Sequence, residues 1–123
     1  MAIEHLSKQE FLAKVARAGS APGNFVFLGK RAAVIDFYAD WCPPCNALAP
    51  VLAELSDEYD KKVDFYKVNV DEENELSALF DIRSIPTLIL FTIDGQMQRV
   101  VGALSRQHLQ ETIEGLLPAA ARL

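Results

Sequence analysis

The sequence predicts an α/β fold in one domain that covers residues 1–123, a length that suffices for one hydrophobic core. The first observation is an almost unbroken apolar run at residues 32–39, which is typical of a strand covered on both faces. The second is the alternation of strand, helix and strand patterns, which implies a parallel crossover. The third is the Asp94-Gly95 pair, a hairpin signal that predicts an antiparallel return.

The chain begins with a helix signal. Ser7 and Glu10 have the spacing of a capping box, and apolar residues then recur at helical spacing, so we predict a helix over residues 8–18. Turn-forming residues at 19–24 end it. Residues 25–28 predict a short edge strand before the apolar run.

The next predicted helix follows the apolar run and covers residues 43–59. Prolines in its first turn are tolerated, because N–H groups there have no partner within the helix. Pro50 lies in the interior, so we expect a kink near Asn46 and Ala47. Residues 57–62 predict a solvated turn.

The second half of the chain continues the alternation. We predict a strand at residues 63–70 and a helix at 72–80 that Asp71 caps. Strands at 88–92 and 96–101 then form the hairpin. Ser105 caps a last amphipathic helix, whose sheet-facing residues are Leu109, Ile113, Leu116 and Leu117.

Both cysteines of the chain, Cys42 and Cys45, lie two residues apart at the start of the 43–59 helix. The helix dipole and free N–H groups at this position lower the pKa of the first thiol and favour its nucleophilic thiolate form. The second thiol is one turn further along the same side, close enough to attack a mixed disulfide formed by the first. This spacing favours a redox-active dithiol.

Two other interpretations of the cysteine pair remain open. A structural zinc site needs four ligands, and the only further candidates are His5 and His108, isolated near the two ends of the chain. A purely structural disulfide gains little stability from closing so short a loop.

Composition and charge limit the function classes. The chain has 17 acidic and 12 basic residues and a net charge of −5, which argues against nucleic-acid or anionic-membrane partners. No apolar run has the length needed to cross a bilayer. Residues 1–5 lack the basic and apolar regions of a signal peptide, so we expect an intracellular, cytoplasmic protein.

Four motifs occur in order: Asp36 at the end of an apolar strand, the 41–45 Trp-Cys-X-X-Cys motif, Ile-Pro-Thr at 85–87 and Gly-Ala-Leu-Ser at 102–105. With these motifs the chain resembles the thioredoxin family over residues 5–117. The resemblance implies a thioredoxin fold, in which a central mixed β-sheet is flanked by helices in three α/β/α layers. It also implies a cis peptide bond before Pro86.

The motifs suggest a role for each of four residues. Cys42, expected to have the more exposed sulfur, is the nucleophile, and Cys45 is the resolving thiol. Asp36 lies among apolar residues, where burial raises its pKa, so it is expected to accept the proton of Cys45. The resemblance implies that Lys67 lies near Asp36 and moderates its charge.

A shallow, exposed apolar patch around the dithiol is expected to bind extended protein substrates. The backbone of Ile85 is expected to pair with the substrate chain as an added strand. The expected substrate-binding residues are Trp41, Pro43, Pro44, Ile85, Pro86, Gly102 and Ala103.

The chain departs from the common family pattern at two positions. Pro43 replaces a common glycine between the cysteines, which removes one N–H near the Cys42 sulfur. Asn46 stands where a lysine is common, which removes a positive charge from the site.

The predicted function is a thiol–disulfide oxidoreductase that reduces protein disulfides and is recharged by a thioredoxin reductase. We expect a monomer with no metal and no cofactor other than its own redox-active disulfide. One alternative is an exported or specialised relative that acts as an oxidant or a dedicated reductant. Another is a non-catalytic binding subunit with the same fold.

Overall fold

The computed structural model describes residues 3–21 and 24–122. The helices and strands follow in chain order: β1 (Glu4–His5), α1 (Lys8–Lys14), β2 (Ala16–Ala18), β3 (Phe25–Phe27), β4 (Ala32–Tyr38), α2 (Pro43–Glu58), β5 (Val63–Asn69), α3 (Asn74–Leu79), β6 (Thr87–Phe91), β7 (Met97–Val101), α4 (Arg106–Glu114) and a 3₁₀ helix (Ala119–Ala121).

The main sheet has five strands in the order β1-β5-β4-β6-β7, and β2 pairs with β3 in a separate two-stranded sheet. β4 is central and parallel to β5, with Ala32 opposite Val63 and Tyr38 opposite Asn69, so α2 forms the predicted parallel crossover. β6 is antiparallel to β4 and to β7. The sheet is therefore mixed, as predicted.

The core is divided between the two faces of this sheet. Successive side chains of a strand point to opposite faces, and Val34 packs with residues of α2 and α4 while Ile35 packs with residues of α1 and α3. The helices thus form a layer on each face, which confirms the three-layer α/β/α arrangement. None of the helices in residues 3–21 and 24–122 is long and apolar enough to cross a membrane.

The first helix is shorter than the predicted 8–18. Its capping box between Ser7 and Glu10 is present, but α1 ends at Lys14. Ala16 instead pairs with Phe27 in the small sheet, and Leu28 donates its N–H to the Val15 carbonyl. Pairing with a distant segment thus replaces the last turn of the helix.

The strand predicted at residues 25–28 exists as β3, but it lies in the small sheet and not at the edge of the main one. Its ring at Phe25 stacks on Phe80 with 4.9 Å between centroids. Of the predicted turn at 19–24, Pro22 and Gly23 lie outside the described residues. β1 was not predicted.

Two further predictions are wrong in detail. Asp71 does not cap α3, which begins at Asn74 after Glu73 without a side-chain cap. Tyr59, predicted in a solvated turn, is fully buried, and its hydroxyl donates to Glu114 of α4. This contact between distant segments outweighs the polar character of the sequence around Tyr59.

The bounds of the other predicted helices and strands are confirmed to within one or two residues, and the kink near Asn46 and Ala47 stays a prediction. The hairpin of β6 and β7 turns at Gly95, whose φ of +89° favours glycine. Ser105 caps α4 by accepting the N–H of His108. Leu116 and Leu117 lie just beyond the end of α4, but both are buried in the core.

Candidate active site

The two cysteines form a disulfide at the start of α2. Cys42 is the residue before the first turn, and its sulfur accepts a hydrogen bond from the backbone N–H of Cys45 across 3.3 Å. Pro43 and Pro44 occupy the first turn, where no N–H is needed for the helix. The helix N-terminus therefore faces the Cys42 sulfur, as the sequence predicts.

Burial does not distinguish the two cysteines in this disulfide form. Cys42 is 3% exposed and Cys45 is 2% exposed. Both cysteines pack in one small cluster with the partly buried side chains of Tyr38, Val70 and Ile85, so the expectation that Cys42 has the more exposed sulfur stays a prediction.

Asp36 is buried under α2. It lies on the same face of β4 as Ala32 and Val34, which pack against α2, and it is only 5% exposed. Among the described residues its Oδ1 has no hydrogen-bond partner. Burial raises the pKa of Asp36 to about 7, while the positive charge of Lys67 opposes this rise. Asp36 is therefore the buried acid that the sequence predicts.

Lys67 lies opposite Asp36 in the register of β4 and β5. Its Nζ is 5.9 Å from the centroid of the Tyr38 ring, a distance at which cation and ring attract each other. The lysine is thus held on the face of the sheet that contains Asp36, where its charge lowers the pKa of this carboxyl group. This is the proximity that the resemblance implies.

A groove of about 430 Å³ contains both Asp36 and Cys45 in its lining. His5, predicted to be isolated, also lines this groove, and its Nδ1 lies 3.4 Å from the Tyr38 hydroxyl. The groove gives solvent a path to the buried acid. Its other polar lining residues are Tyr38, Asp40, Asn46, Lys67, Asn69 and Glu72.

Sequence reasoning missed most of this lining. Tyr38 was available from the pattern, because it lies two residues after Asp36 and so on the same face of β4. His5 reaches the groove because β1 pairs with β5, with His5 opposite Lys67. A strand of two residues gives no recognisable pattern in the sequence.

Trp41 is 68% exposed beside the dithiol. Its indole Nε1 donates a hydrogen bond to Asp71 Oδ2 across 2.8 Å. Asp71 follows β5, so the loop after β5 fixes the orientation of the tryptophan. Nothing in the sequence indicated this bond.

The predicted apolar patch is only partly exposed. Trp41, Pro43, Pro44 and Ala103 are exposed and Gly102 is half-buried, but Pro86 is buried. The prediction that Pro86 is exposed is therefore wrong, because this residue precedes β6, a strand buried along its whole length.

The loop before β6 lies against the dithiol. The Ile85–Pro86 bond is cis, as the resemblance implies. The Ile85 carbonyl oxygen is 3.9 Å from the Cys42 sulfur, and the Pro86 carbonyl accepts the N–H of Gly102 across 2.9 Å. Ile85, Pro86 and Gly102 are thus next to the disulfide.

The structure shows the contacts at Pro43 and Asn46, the two positions that depart from the family pattern. Pro43 has no N–H, so the Cys45 N–H is the donor that the structure shows for the Cys42 sulfur. The Asn46 side chain donates to the Asp40 carbonyl across 3.0 Å and so braces the loop before the dithiol. Within the described residues, no group of three or more His, Cys, Asp or Glu side chains could hold a metal ion.

Comparisons with known proteins agree on one family. A family model described as Thioredoxin matches residues 3–115. A thioredoxin of Borreliella burgdorferi is 37% identical over 109 residues, which cover 89% of this chain and 92% of that protein. A thioredoxin of Staphylococcus saprophyticus is 44% identical over 81 residues, 66% of this chain and 78% of that protein. An M-type chloroplastic thioredoxin of Spinacia oleracea is 38% identical over 94 residues, 76% of this chain and 52% of that protein.

Proposed function

The chain belongs to the thioredoxin family and is a thiol–disulfide oxidoreductase, and we propose that it reduces protein disulfides with Cys42 as nucleophile and Cys45 as resolving thiol. The observation that supports these roles is the hydrogen bond from the Cys45 N–H to the Cys42 sulfur at the N-terminus of α2. A thiolate in this position is stabilised by the N–H group and by the positive end of the helix dipole.

The proposed reaction has two exchange steps. The Cys42 thiolate attacks one sulfur of the substrate disulfide, the substrate S–S bond breaks, and the other substrate sulfur leaves as a thiolate. The Cys45 thiol then loses its proton and attacks the Cys42 sulfur of the mixed disulfide. The Cys42–Cys45 bond forms, the second substrate sulfur leaves, and two electrons have passed to the substrate.

Asp36 is proposed to accept the proton of Cys45. It lines the same groove as Cys45, and its pKa of about 7 lets the carboxylate and the acid form coexist near neutral pH. Lys67 is proposed to keep enough of this carboxyl group ionised to act as a base, because its charge lowers the Asp36 pKa.

Substrates are proposed to bind across the surface next to the disulfide. Ile85 supports this proposal, because its backbone carbonyl lies beside the Cys42 sulfur. An extended chain that pairs with the Ile85 backbone would present its disulfide to Cys42. The other proposed binding residues are Trp41, Pro43, Pro44, Pro86, Gly102 and Ala103.

The physiological setting is also a proposal. The family implies a reductase partner, and we propose that a thioredoxin reductase returns the Cys42–Cys45 disulfide to the dithiol. We further propose that the protein is a cytoplasmic monomer, acts without a bound cofactor and contributes to electron transport and redox homeostasis.

Trapping of the mixed disulfide tests the two cysteine roles. The Cys45→Ser variant should accumulate a mixed disulfide with insulin, because its Cys42 attacks the insulin disulfide but no second thiol cleaves the product. Dithiothreitol should reduce this complex. The matched Cys42→Ser variant should trap little. The reverse pattern would contradict the assignment.

The equilibrium reduction potential of the Cys42–Cys45 pair tests the direction of electron flow. We expect a value below the cytosolic glutathione poise, as a reductant requires. A value well above that poise would mean that the protein works as an oxidant.

A further inference from the structure

A second groove lies at the end of the sheet opposite the disulfide. The disulfide follows the C-terminal end of β4, whereas this groove contains Arg31, which precedes β4, and Lys62, which precedes the parallel β5. Ile93, which follows the antiparallel β6, lines the same groove. A seven-residue strand spans roughly 20 Å, so a ligand here leaves the disulfide free.

The groove is basic in an acidic protein. Four of its ten lining residues are cations, namely Lys30, Arg31, Lys61 and Lys62, and none is acidic. The chain as a whole has a net charge of −5. Arg31 Nη1 is paired with Asp64 Oδ1 at 3.3 Å, but within the described part of the chain none of the three lysines forms an ion pair. Their charges are available to a ligand.

The floor of the groove is apolar. Leu116 and Leu117 are buried beneath it, whereas Ile93 is 55% exposed. The groove has a volume of about 340 Å³, which accommodates an apolar side chain. A ligand that covers Ile93 would remove apolar surface from water.

The backbone at the rim is strained at one lysine. Lys61 has a φ of +66°, in the left-handed region that glycine adopts at lower cost. Its neighbours Lys62 and Val63 both donate to the Tyr59 carbonyl, which holds the turn in this form. This turn fixes the position of Lys61 at the rim of the groove.

We propose that this basic groove binds an acidic segment of a partner protein that carries an apolar side chain among its carboxylates. The four cations belong to two separate segments, residues 30–31 and 61–62, which suits carboxylates spread along a peptide. Three of the four are lysines, which act as point charges, and the single arginine is shared with Asp64.

Such docking would act together with the oxidoreductase activity. A partner held at the basic groove raises the local concentration of its own disulfides around the distant dithiol. The proposal thus adds a recognition surface that is independent of the redox state of Cys42 and Cys45.

Fluorescence anisotropy with a labelled peptide of alternating glutamate and leucine tests the proposal at low salt. We expect saturable binding that a Lys30→Glu/Lys62→Glu double variant weakens about tenfold, because two attractive charges become repulsive. Ile93→Ser, at an exposed position, should weaken it several-fold. The control Arg17→Glu reverses one positive charge on β2, outside the groove, and should alter affinity less than about twofold.

Three results would overturn the proposal: equal binding of a peptide with lysine in place of glutamate, equal affinity of the double variant and the wild type, or stronger binding to phosphatidylglycerol vesicles than to the peptide. Insulin reduction is measured in parallel and should stay at the wild-type rate in every groove variant. A wild-type protein that binds the peptide but does not reduce insulin would contradict the proposed function and leave the groove assignment intact.

Discussion

The indole Nε1 of Trp41 donates to Asp71 Oδ2 across 2.8 Å, so the residue before the disulfide is tied to the loop after β5. Trp41 is otherwise 68% exposed, and an exposed aromatic ring next to a reactive sulfur is available to a substrate. Asp71 thus orients a surface that the substrate is proposed to contact.

Replacement of Asp71 by alanine should affect substrate binding more than the chemical steps. Without its acceptor the Trp41 ring samples several orientations, so we expect a several-fold higher KM for insulin and a nearly unchanged kcat. Trp41 is the only tryptophan of the chain, so its fluorescence reports the loss of the bond directly. Asp71→Asn keeps a carbonyl acceptor and serves as the control. A kcat loss in Asp71→Ala with unchanged KM would refute this role.

Replacement of Asp36 by asparagine should stabilise the protein at alkaline pH. The folded pKa of about 7 is higher than the ordinary value of about 4 for an unfolded chain, so ionisation favours unfolding. The contribution of Asp36 to stability is full below pH of about 4 and is lost as the pH rises through about 7. We expect Asp36→Asn to raise the free energy of unfolding at pH 8 by about 2 kcal/mol, and by no more than about 4.

Urea unfolding at two pH values separates this effect from a general change of packing. The difference between wild type and Asp36→Asn should be large at pH 8 and should nearly vanish at about pH 3, where Asp36 is largely protonated in both states. A difference that is independent of pH would show that ionisation of Asp36 is not its cause. The variant should also reduce insulin more slowly, because it lacks the proposed proton acceptor.

Removal of the Lys67 charge should move the titration of Asp36 to higher pH. The lysine lowers the Asp36 pKa, so Lys67→Gln leaves burial unopposed and the pKa rises above about 7. The carboxyl ¹³C shift of Asp36 in the oxidised protein measures this titration. Lys14→Gln removes a lysine that pairs with Glu4 at the surface and should leave the titration unchanged. A lower Asp36 pKa in Lys67→Gln would contradict the assignment.

Loss of the first helix cap should destabilise the fold without changing the chemistry. Ser7 accepts the Glu10 N–H and Glu10 accepts the Ser7 N–H, so Ser7→Ala should cost about 1 kcal/mol of unfolding free energy. Gln9→Ala, one residue into the same helix, should change stability by less than about 0.5 kcal/mol. Thermal unfolding of both variants measures the difference. Equal stabilities would mean that the cap contributes nothing measurable.

Local patterns in the sequence were sufficient to predict the centre of the fold and of the site. The apolar run of β4 places Asp36 in the core, and the prolines at 43 and 44 fit only the first turn of a helix. Because these signals depend on neighbouring residues, the start of α2 and the burial of Asp36 agree with the structure.

Features that depend on distant segments were not predictable in the same way. Helix α1 ends before Val15 because the following residues pair with β3. Asp71 binds the indole of Trp41, which lies 30 positions earlier in the chain. His5 reaches the groove beside Asp36 only because a two-residue strand pairs with β5. In each case a tertiary contact outweighs the local propensity.

The edge strand β7 of the main sheet is a possible contact between copies of this protein at high concentration. Within residues 3–21 and 24–122, β7 pairs only with β6 in the sheet, so one row of its backbone groups lies at an edge that is a template for a second chain. Arg99 is the central residue of β7, so two copies joined in the longest antiparallel register would place one Arg99 against the other. Like charges opposite each other destabilise a strand pair. The Arg99 guanidinium group, which donates to the Phe80 carbonyl, thus disfavours pairing of two copies through β7 in this register.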